Sequence, residues 1–479
     1  MNRMRNLTMM TDLYELTMMY GYFKEGMHKK KAVFDVFFRN QVGGSSYAVM
    51  AGLEQLIDYI NDLHFTEDDL DYLRALKLFD EEFLDYLRHF RFAGEIYAMP
   101  EGTIVFPGEP LVRVKGGIAE AQLIETAMLN IINHQTLIAT KASRICYAAG
   151  KGPVMEFGLR RAQGPDAGIY GARAAIIGGC SSTSNVLTTK MFGGRPAGTH
   201  AHSWIMSFDT EIEAFRAYAN VFPDACMLLV DTYDVLNSGM PNAIKVFDEL
   251  REKGHKPVGI RIDSGDLAYL SKKARQMLDE AGYEDAIICA SGDLDENLIL
   301  ALKLQDAKID TYGIGTKLIT SEGHSALGGV YKLSAMENDK GEIVPKIKIS
   351  ENIWKITNPG YKKVVRLYSR YENKALADLI MLDDETIDDT KELEIFSPTE
   401  TWKRMTLTNF YAKELLVPVF VDGEQVYESP SLAEIKKNAE KELGTLWDEY
   451  KRFTNPHIYK VDLSQKLYDI KNELLMQSK

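Results

Sequence analysis

With 479 residues, 45% of them hydrophobic, the chain can form a large core and is long enough for two or three domains rather than one. Its 56 Lys and Arg residues against 69 Asp and Glu residues give a net charge of -13, which argues against general affinity for nucleic acid or for an anionic membrane. The four cysteines form no CxxC pair and no apolar run reaches the length of a membrane span, so we expect reduced thiols in a cytoplasmic protein without an export signal.

The first 140 residues predict an α+β domain. Apolar residues recur at helical spacing between Met1 and Phe23, and Tyr14 lies near the start of this predicted helix. Candidate N-caps are Thr11 and Asp12. Composition, periodicity and turn signals predict the next elements, which are strands at 32–39 and 47–52, helices at 53–63 and 67–90, and an antiparallel meander at 95–115.

Residues 141–328 follow a different pattern, which begins after a helical stretch at 119–147. Short apolar strands end in polar residues and alternate with helices, most clearly in the segments CMLLVDTYD, PVGIRIDSGD, AIICASGD and IDTYGIGTK. Strand starts that recur roughly every 30 residues imply parallel βαβ units, and right-handed crossovers favour a barrel. The strand ends, where such a barrel collects its chemistry, carry Asp231, Asp263, Asp293, Gly313 and Gly315.

Residues 329–479 predict a return of the chain to the first domain and a C-terminal helical region. Strand-like runs follow Gly328, and VPVFVDGEQV predicts a hairpin at Asp422 and Gly423. Residues 431–478 are charged and helical in character. The predicted fold class is therefore α/β, with an irregular α/β barrel (TIM-like) at 141–328 and an α+β domain formed from both chain ends.

The stretch from Val154 to Trp204 contains the densest group of candidate site residues. Phe157 and Arg160 follow a short apolar run, and a Gly-rich turn then opens onto a run of hydroxyl residues. These hydroxyl residues are Ser181, Ser182 and Thr183. Backbone N–H groups and hydroxyls of this kind suit an anion.

Each candidate also has a purely structural interpretation. The glycines Gly313 and Gly315 can form an ordinary βα turn, a strand-end aspartate can cap a helix, and Phe157 can belong to the core. His202 alone would more often be a structural histidine, and a metal pair of His200 and His202 would need a third ligand to which the sequence does not point. The clustering of the candidates favours one shared site.

Six blocks occur along the chain in the order TDLYELTM, EFGLRR, GTHAHS, RIDSGDL, ASGDL and YGIGTKL. Together they resemble the nicotinate phosphoribosyltransferase family, a barrel-type family that includes the nicotinamide and quinolinate enzymes. The resemblance implies an ATP-coupled ligase that converts nicotinate and phosphoribosyl pyrophosphate into nicotinate mononucleotide and pyrophosphate through a phosphohistidine. It also implies the first step of NAD synthesis from nicotinate, carried out by a homodimer with shared active sites.

The resemblance implies roles around the base. Phe157 is similar to the aromatic residue that stacks on the pyridine ring, and Tyr14 to a second aromatic residue that comes from the neighbouring subunit. Arg160 is similar to an arginine that meets the substrate. Arg261 and Asp263 resemble a pair near the base, the phosphate and the ribose.

Further roles are implied around the sugar, the phosphate and ATP. The residues that match the ribose-binding pair and the 5′-phosphate loop are Gly292, Asp293, Gly313, Gly315 and Thr316. His202 matches the phosphorylated histidine, and Asp231 resembles the acid that orients it. Ala201 departs from the nicotinamide branch, which has an acid at this position.

The hydroxyl run bears on the substrate and on the metal. Ser181, Ser182 and Thr183 donate hydrogen bonds well to a carboxylate, and no acid lies on that strand, so we expect nicotinate to be preferred over nicotinamide. Arg160 or Arg261 would supply the countercharge. Mg²⁺ would be held mainly by substrate phosphates, and no dedicated ligand set is expected.

Several alternatives remain open from the sequence. The chain could be a nicotinamide or quinolinate phosphoribosyltransferase, a barrel sugar-phosphate lyase or isomerase, or a non-catalytic phosphoribosyl sensor. A lyase or isomerase would need a Lys or Glu base at a strand end, and Lys317 lies past the loop. A sensor would keep the phosphate glycines and lose the acid and the histidine.

Overall fold

The computed structural model of the protein describes residues 6–352 and 355–477. Residues 1–5, where the predicted N-terminal helical pattern begins, and Ser478, where the last predicted helical region ends, lie outside the described residues. Among the helices of the described chain, none is both long enough and apolar enough to cross a membrane.

The chain forms two compact units. The terminal unit comprises the chain up to Leu137 together with the chain from Ala326 onward, and the central unit runs from Ile138 to Ser325. The sequence predicted domain boundaries at 140/141 and 328/329. Compact units are not the same as independently folding domains, so these boundaries stay a prediction.

Sixteen α-helices lie in the described residues. In chain order they are α1 (Leu13–Lys24), α2 (Leu53–Asn61), α3 (Glu67–Ala75), α4 (Glu81–Arg88), α5 (Ile118–Leu123), α6 (Glu125–Ala149), α7 (Pro165–Ile177), α8 (Val186–Phe192), α9 (His202–Met206), α10 (Glu211–Val221), α11 (Met240–Glu252), α12 (Leu267–Glu280), α13 (Glu296–Leu304), α14 (Thr316–Ile319), α15 (Leu432–Thr445) and α16 (Gln465–Gln477).

The described strands number 21. In chain order they are β1 (Lys31–Phe38), β2 (Ala48–Val49), β3 (Glu95–Ala98), β4 (Ile104–Val105), β5 (Val112–Gly117), β6 (Val154–Glu156), β7 (Ser182–Thr183), β8 (Met227–Leu229), β9 (Gly259–Ile262), β10 (Ile287–Gly292), β11 (Thr311–Ile314), β12 (Gly329–Glu337), β13 (Ile343–Pro345), β14 (Lys362–Ser369), β15 (Ala375–Leu382), β16 (Leu393–Phe396), β17 (Arg404–Leu407), β18 (Phe410–Glu414), β19 (Val417–Val421), β20 (Glu424–Gln425) and β21 (Val461–Leu463).

The largest sheet of the terminal unit has seven strands in the order β13-β12-β1-β5-β3-β19-β20. Strand β1 pairs antiparallel with both β5 and β12, so the two ends of the chain contribute to one sheet. The expectation of a meander at 95–115 was wrong. Strand β3 pairs directly with β5, whereas β4 pairs with β2 in a separate two-stranded sheet.

The helix predicted at 67–90 is two helices, α3 and α4. Thr66 and Asp69 form a capping box at the start of α3. After α3, Lys77 adopts a positive φ of 58°, and the Asp80 side chain accepts a hydrogen bond from the N–H of Phe83 to start α4. The hydrophobic periodicity continues across both helices, which is why it did not reveal the break.

The hairpin predicted at Asp422 and Gly423 is confirmed. Strands β19 and β20 pair antiparallel on either side of these two residues. Both have positive φ, 50° and 80°, as a two-residue type I′ turn requires.

The central unit contains a parallel sheet of six strands in the order β8-β9-β10-β11-β6-β7. Helices α11, α12 and α13 connect the strands from β8 to β11, which confirms the βαβ pattern of that region. Strands β8 to β11 lie side by side in chain order, and β6 and β7 follow after β11. Strands β7 and β8 are therefore the two edges of the sheet, and they are not paired with each other in the described residues. The structure therefore shows a mixed α/β fold, and the described strands do not form a closed barrel; the irregular barrel stays a prediction.

Candidate active site at the carboxyl edge of the parallel sheet

The predicted site residues of the central unit gather at one edge of its parallel sheet, because parallel strands place their carboxyl ends on the same side. The residues at these strand ends, or within two positions after them, are Phe157, Ser182, Thr183, Asp231, Asp263, Gly292, Asp293, Gly315 and Thr316.

The half-buried ring of Phe157 covers Gly313. A Cβ atom at Gly313 would lie 2.6 Å from a carbon of this ring, so only glycine leaves room for it. The backbone N–H of Phe157 donates to the carbonyl of Ile314 at 2.8 Å, which fixes the ring at the end of β6. The guanidinium of Arg261 lies 5.7 Å from the ring centroid, within cation–π distance.

Arg261 is held by three side chains. Its Nε donates to Ser291 Oγ at 2.7 Å, its Nη1 to Thr199 Oγ1 at 3.1 Å and its Nη2 to Asp263 Oδ1 at 2.8 Å. Only 16% of its side chain is exposed. The guanidinium is therefore fixed beside Phe157, and each Nη retains a second N–H for a ligand.

The carboxylate of Asp263 accepts hydrogen bonds from two neighbouring side chains. Its Oδ1 accepts from Ser291 Oγ at 2.5 Å as well as from Arg261. Burial raises the pKa of this carboxyl, but the hydrogen bonds from Ser291 and Arg261 and the charge of Arg261 outweigh burial and hold the pKa below its usual value. Asp263 is consequently ionised at neutral pH.

His202 at the start of α9 contacts Asp231. Its Nε2 lies 3.2 Å from Asp231 Oδ1, and 40% of the histidine side chain is exposed against 1% of the aspartate. Asp231 Oδ2 accepts from the N–H of Asp263 at 3.0 Å and from Ser264 Oγ at 2.6 Å. A carboxylate only accepts, so in a neutral imidazole the ring nitrogen that faces Asp231 carries the proton and the other nitrogen keeps its lone pair.

The hydroxyl run is largely engaged within the protein. Ser181 Oγ donates to the carbonyl of Val154 at 2.9 Å, and Thr183 Oγ1 donates to Glu156 Oε2 at 2.5 Å. Ser182 is half-buried, and its hydroxyl makes no hydrogen bond within the described part of the chain. Of the three, Ser182 is therefore the hydroxyl that is available to a ligand.

Three family models match the chain almost from end to end. Residues 9–133 match the nicotinate phosphoribosyltransferase N-terminal domain, 153–375 the nicotinate phosphoribosyltransferase family and 361–471 its C-terminal domain. The nicotinate phosphoribosyltransferase of Bacillus subtilis (strain 168) is 48% identical over 99% of this chain and 96% of its own length. The chain belongs to the nicotinate phosphoribosyltransferase family.

Further relatives agree with this family assignment. The nicotinate phosphoribosyltransferase of Homo sapiens is 32% identical over 97% of this chain and 96% of its own length. The crystal structure of human nicotinic acid phosphoribosyltransferase superposes with a TM-score of 0.85 at 30% identity, covering 97% of this chain and 99% of that one. The resemblance of the six sequence blocks is thus confirmed.

In this member of the nicotinate phosphoribosyltransferase family, sequence reasoning missed the residues that hold the site together. Ser291 and Thr199 anchor Arg261, and Ser264 anchors Asp231. Each of these hydroxyl residues lies within three positions of a predicted site residue or at a strand end, and this proximity in the sequence could have identified them as candidates. The partner of each hydroxyl depends on three-dimensional contacts and had no signal in the sequence.

Glu156 was also missed, although it directly precedes Phe157. The residue is fully buried at the end of β6. Its Oε1 accepts from the N–H of Gly158 and its Oε2 from the hydroxyl of Thr183. Burial raises the pKa of this carboxyl. Glu156 therefore joins the Phe157 turn to strand β7.

The remaining predicted residues of the nicotinate phosphoribosyltransferase pattern are less constrained. Arg160 lies in an exposed 3-10 turn, Leu159–Arg161, and Asp293 is exposed after β10. Gly315 and Thr316 begin the short helix α14. Lys317 pairs with Asp295 at 3.2 Å, so its ammonium is already compensated.

Tyr14 lies on α1 in the terminal unit, and 46% of it is exposed. Burial and the nearby acids Glu125, Glu15 and Asp12 raise the pKa of its phenol. Tyr14 is therefore a neutral aromatic side chain at physiological pH, as a stacking role would require.

Among the described residues, no group of three or more His, Cys, Asp or Glu side chains could hold a metal ion.

Proposed function

We propose that this chain transfers the phosphoribosyl group of phosphoribosyl pyrophosphate to nicotinate and couples the transfer to ATP hydrolysis through His202. One observation carries the proposal: a continuous path of contacts runs from Phe157 through Arg261 and Asp263 to Asp231 and His202. This path brings an aromatic ring, a fixed cation, an anionic carboxylate and an accessible imidazole to one edge of the sheet. The names of relatives that align over almost the whole chain support the phosphoribosyl transfer to nicotinate.

Phe157 and Arg261 would bind the base. The pyridine ring of nicotinate would stack on Phe157, and the two remaining Nη hydrogens of Arg261 would pair with the carboxylate of nicotinate. Ser182 offers a further donor, and Arg160 additional positive charge. Nicotinamide would place its own donors against these donors, so we expect kcat/KM to favour nicotinate by ~10⁴.

The displacement itself needs charge control at the sugar. The pyridine nitrogen forms a bond to C1′ as the bond from C1′ to pyrophosphate breaks, so positive charge develops on the ribose. Asp263 and Asp293 would stabilise this charge and orient the ribose hydroxyls, and Gly292 lies directly before Asp293 at the end of β10. Bound Mg²⁺ would neutralise the pyrophosphate leaving group.

The phosphate groups require separate donors. Backbone N–H groups at Gly315 and Thr316 would bind the 5′-phosphate at the start of α14. Gly313 was predicted for the same loop, and it contributes there by leaving room for the Phe157 ring beside it.

His202 would accept the γ-phosphoryl group of ATP on the ring nitrogen that does not face Asp231. Asp231 holds the proton on the facing nitrogen and stabilises the ring when it becomes positively charged. Water then releases phosphate from the histidine, so that ADP and phosphate are the products of ATP.

A direct assay tests this proposal. Purified protein with nicotinate, phosphoribosyl pyrophosphate, Mg²⁺ and ATP should form nicotinate mononucleotide and release pyrophosphate. Labelling with γ-³²P-ATP should give an acid-labile phosphoprotein that His202→Ala abolishes. Absence of pyrophosphate release with or without ATP would refute the transferase, and a label that survives His202→Ala would refute the assignment of the histidine.

We further propose that the parallel sheet is part of an irregular barrel. The segment Pro196–His200 lies beside both strands at the gap, since Ala197 N donates to Thr183 O of β7 at 2.9 Å and Leu229 N of β8 donates to His200 Nε2 at 3.3 Å. The resemblance supports a homodimer in which Tyr14 reaches the neighbouring site. A cytoplasmic location rests on the cysteine pattern of the sequence.

A further inference from the structure

His200 is a buried histidine that the proposed chemistry does not use. It is 8% exposed, and its ring packs edge-on against Tyr218 with 4.6 Å between the ring centroids. The ring of Phe215 lies 6.4 Å away on the same measure. Among the described residues, its Nδ1 is buried without a hydrogen-bond partner, so the partner of Nε2 indicates what the ring holds in place.

That partner is the end of strand β8. The backbone N–H of Leu229, the last residue of β8, donates to His200 Nε2 at 3.3 Å. Strand β8 is an edge strand of the parallel sheet, and its neighbour is β9. The N–H of Val230, just after β8, donates to the carbonyl of Arg261 on β9 at 3.1 Å. Alternate residues of a strand direct their N–H groups to opposite sides, so the N–H of Leu229 faces away from β9. His200 thus supplies the acceptor that a neighbouring strand would otherwise provide.

The two histidines contact residues at the end of β8 that have the same spacing as the histidines themselves. His200 is bonded to Leu229 and His202 contacts Asp231, and each pair is separated by 29 positions in the chain. Two contacts with the same separation mean that the two segments run parallel and in register. A slip of the histidine segment along β8 would break both contacts together.

We propose that His200 is a positioning residue that holds the segment Pro196–His202 in register with the end of β8 and thereby fixes the imidazole of His202 against Asp231. The inference rests on the proposed function, because it concerns the histidine that would carry the phosphoryl group. Thr199, which accepts from Arg261 at 3.1 Å, holds the same segment from the side of β9.

The protonation state of His200 agrees with this role. Nε2 can accept a hydrogen bond only when it carries no proton. Burial lowers the pKa of His200 to about 4, so the ring is neutral at physiological pH and its proton resides on Nδ1. A neutral ring also adds no positive charge beside His202.

Two variants separate the hydrogen bond from the packing of the ring. His200→Phe keeps a planar ring against Tyr218 and Phe215 and removes the acceptor. His200→Gln loses the ring and places a side-chain oxygen near the former position of Nε2, where it can accept from Leu229. His255→Phe, at a half-buried histidine that pairs with Asp224, is the matched control.

Three quantities are measured for each variant: hydrogen exchange of the Leu229 amide, the rate of His202 phosphorylation by ATP, and KM for nicotinate. In His200→Phe we expect Leu229 exchange to rise about tenfold. Phosphorylation should slow by about 10- to 100-fold, because misplacement of a reacting group by ~1 Å has an effect of that size. KM for nicotinate should change much less than the phosphorylation rate, since Arg261 keeps its hydrogen bonds to Ser291 and Asp263 even if Thr199 shifts. His200→Gln should recover most of the phosphorylation rate, and His255→Phe should match the wild type.

Equal phosphorylation rates in His200→Phe and the wild type would overturn the inference, as would a His200→Gln variant as slow as His200→Phe. An unprotected Leu229 amide in the wild-type protein would overturn it without any variant, so the test survives if His200→Phe fails to fold. A wild-type protein that takes no phosphoryl label would refute the proposed function, whereas Leu229 exchange in His200→Phe still decides whether His200 holds the strand end.

Discussion

Gly313 shows at the scale of one residue how a backbone position determines the geometry of a binding surface. Its missing side chain admits the ring of Phe157, and a Cβ atom there would approach two ring carbons to 2.6 and 2.7 Å. We expect Gly313→Ala to displace the ring and to raise KM for nicotinate about tenfold, since overpacking of this kind costs roughly 1–3 kcal/mol. Steady-state kinetics at saturating phosphoribosyl pyrophosphate measure the effect.

The matched control is Gly444→Ala, at a helical glycine where an added Cβ would meet nothing within 4 Å. This change should leave KM unaltered and should stabilise α15 slightly, because alanine favours helix over glycine. If Gly313→Ala also left KM unaltered, the ring of Phe157 would not be the surface on which nicotinate stacks.

The lowered pKa of Asp263 predicts how the free energy of unfolding depends on pH. Its pKa is lowered in the folded protein, so ionised Asp263 contributes stability that is fully present above its ordinary pKa and is lost as pH falls through the folded value. The difference in free energy of unfolding between the wild type and Asp263→Asn should therefore be constant near neutral pH and shrink below about pH 4. Urea titrations between pH 3 and pH 7 would measure it. A difference that grows on acidification would mean that the folded carboxyl has a raised pKa.

At the scale of elements, the sequence predicted those features that are determined by residues adjacent in the chain, such as turns and strand ends. The Asp422–Gly423 turn was recognised because both residues tolerate positive φ. Asp231 and Asp263 were recognised because they follow apolar strands. The direct pairing of β3 with β5 was not predicted, because strand pairing depends on contacts between distant segments, and apolar runs of similar composition do not specify their partners.

Glu156 links two elements of the site, and its removal should affect both. We expect Glu156→Gln to destabilise the fold by roughly 1–3 kcal/mol, because the amide NH₂ would face either the N–H of Gly158 or the hydroxyl of Thr183 and leave a buried donor unpaired. KM for nicotinate should rise as well, since the Phe157 turn loses its tie to β7. Thermal unfolding and kinetics measure the two effects.

The control is Glu284→Gln, at an exposed carboxylate in the turn before β10. Surface substitutions of this kind usually change stability by less than about 0.5 kcal/mol. If Glu156→Gln behaved like this control, the carboxylate of Glu156 would be a passive group in the core.

At the scale of the whole molecule, the six ordered sequence blocks were sufficient to predict the family, which the comparisons confirm. They identified residues such as Phe157 and His202 from motifs that span the chain. They could not reveal Ser291 or Thr199, because these hydroxyls act only through the guanidinium that folding brings to them.

Assembly is tested by mixing inactive subunits. If Tyr14 acts in the site of the neighbouring subunit, Tyr14→Ala and Asp263→Ala homodimers should each be nearly inactive, because every site lacks one group. Random exchange places half of the subunits in mixed dimers, and each mixed dimer contains one site with both native residues and one with neither. About a quarter of the wild-type activity should therefore return, with isologous C₂ pairing assumed. Activity is compared before and after exchange, and mixed dimers are verified by two affinity tags. No recovery in verified mixed dimers would show that Tyr14 serves the site of its own chain or none.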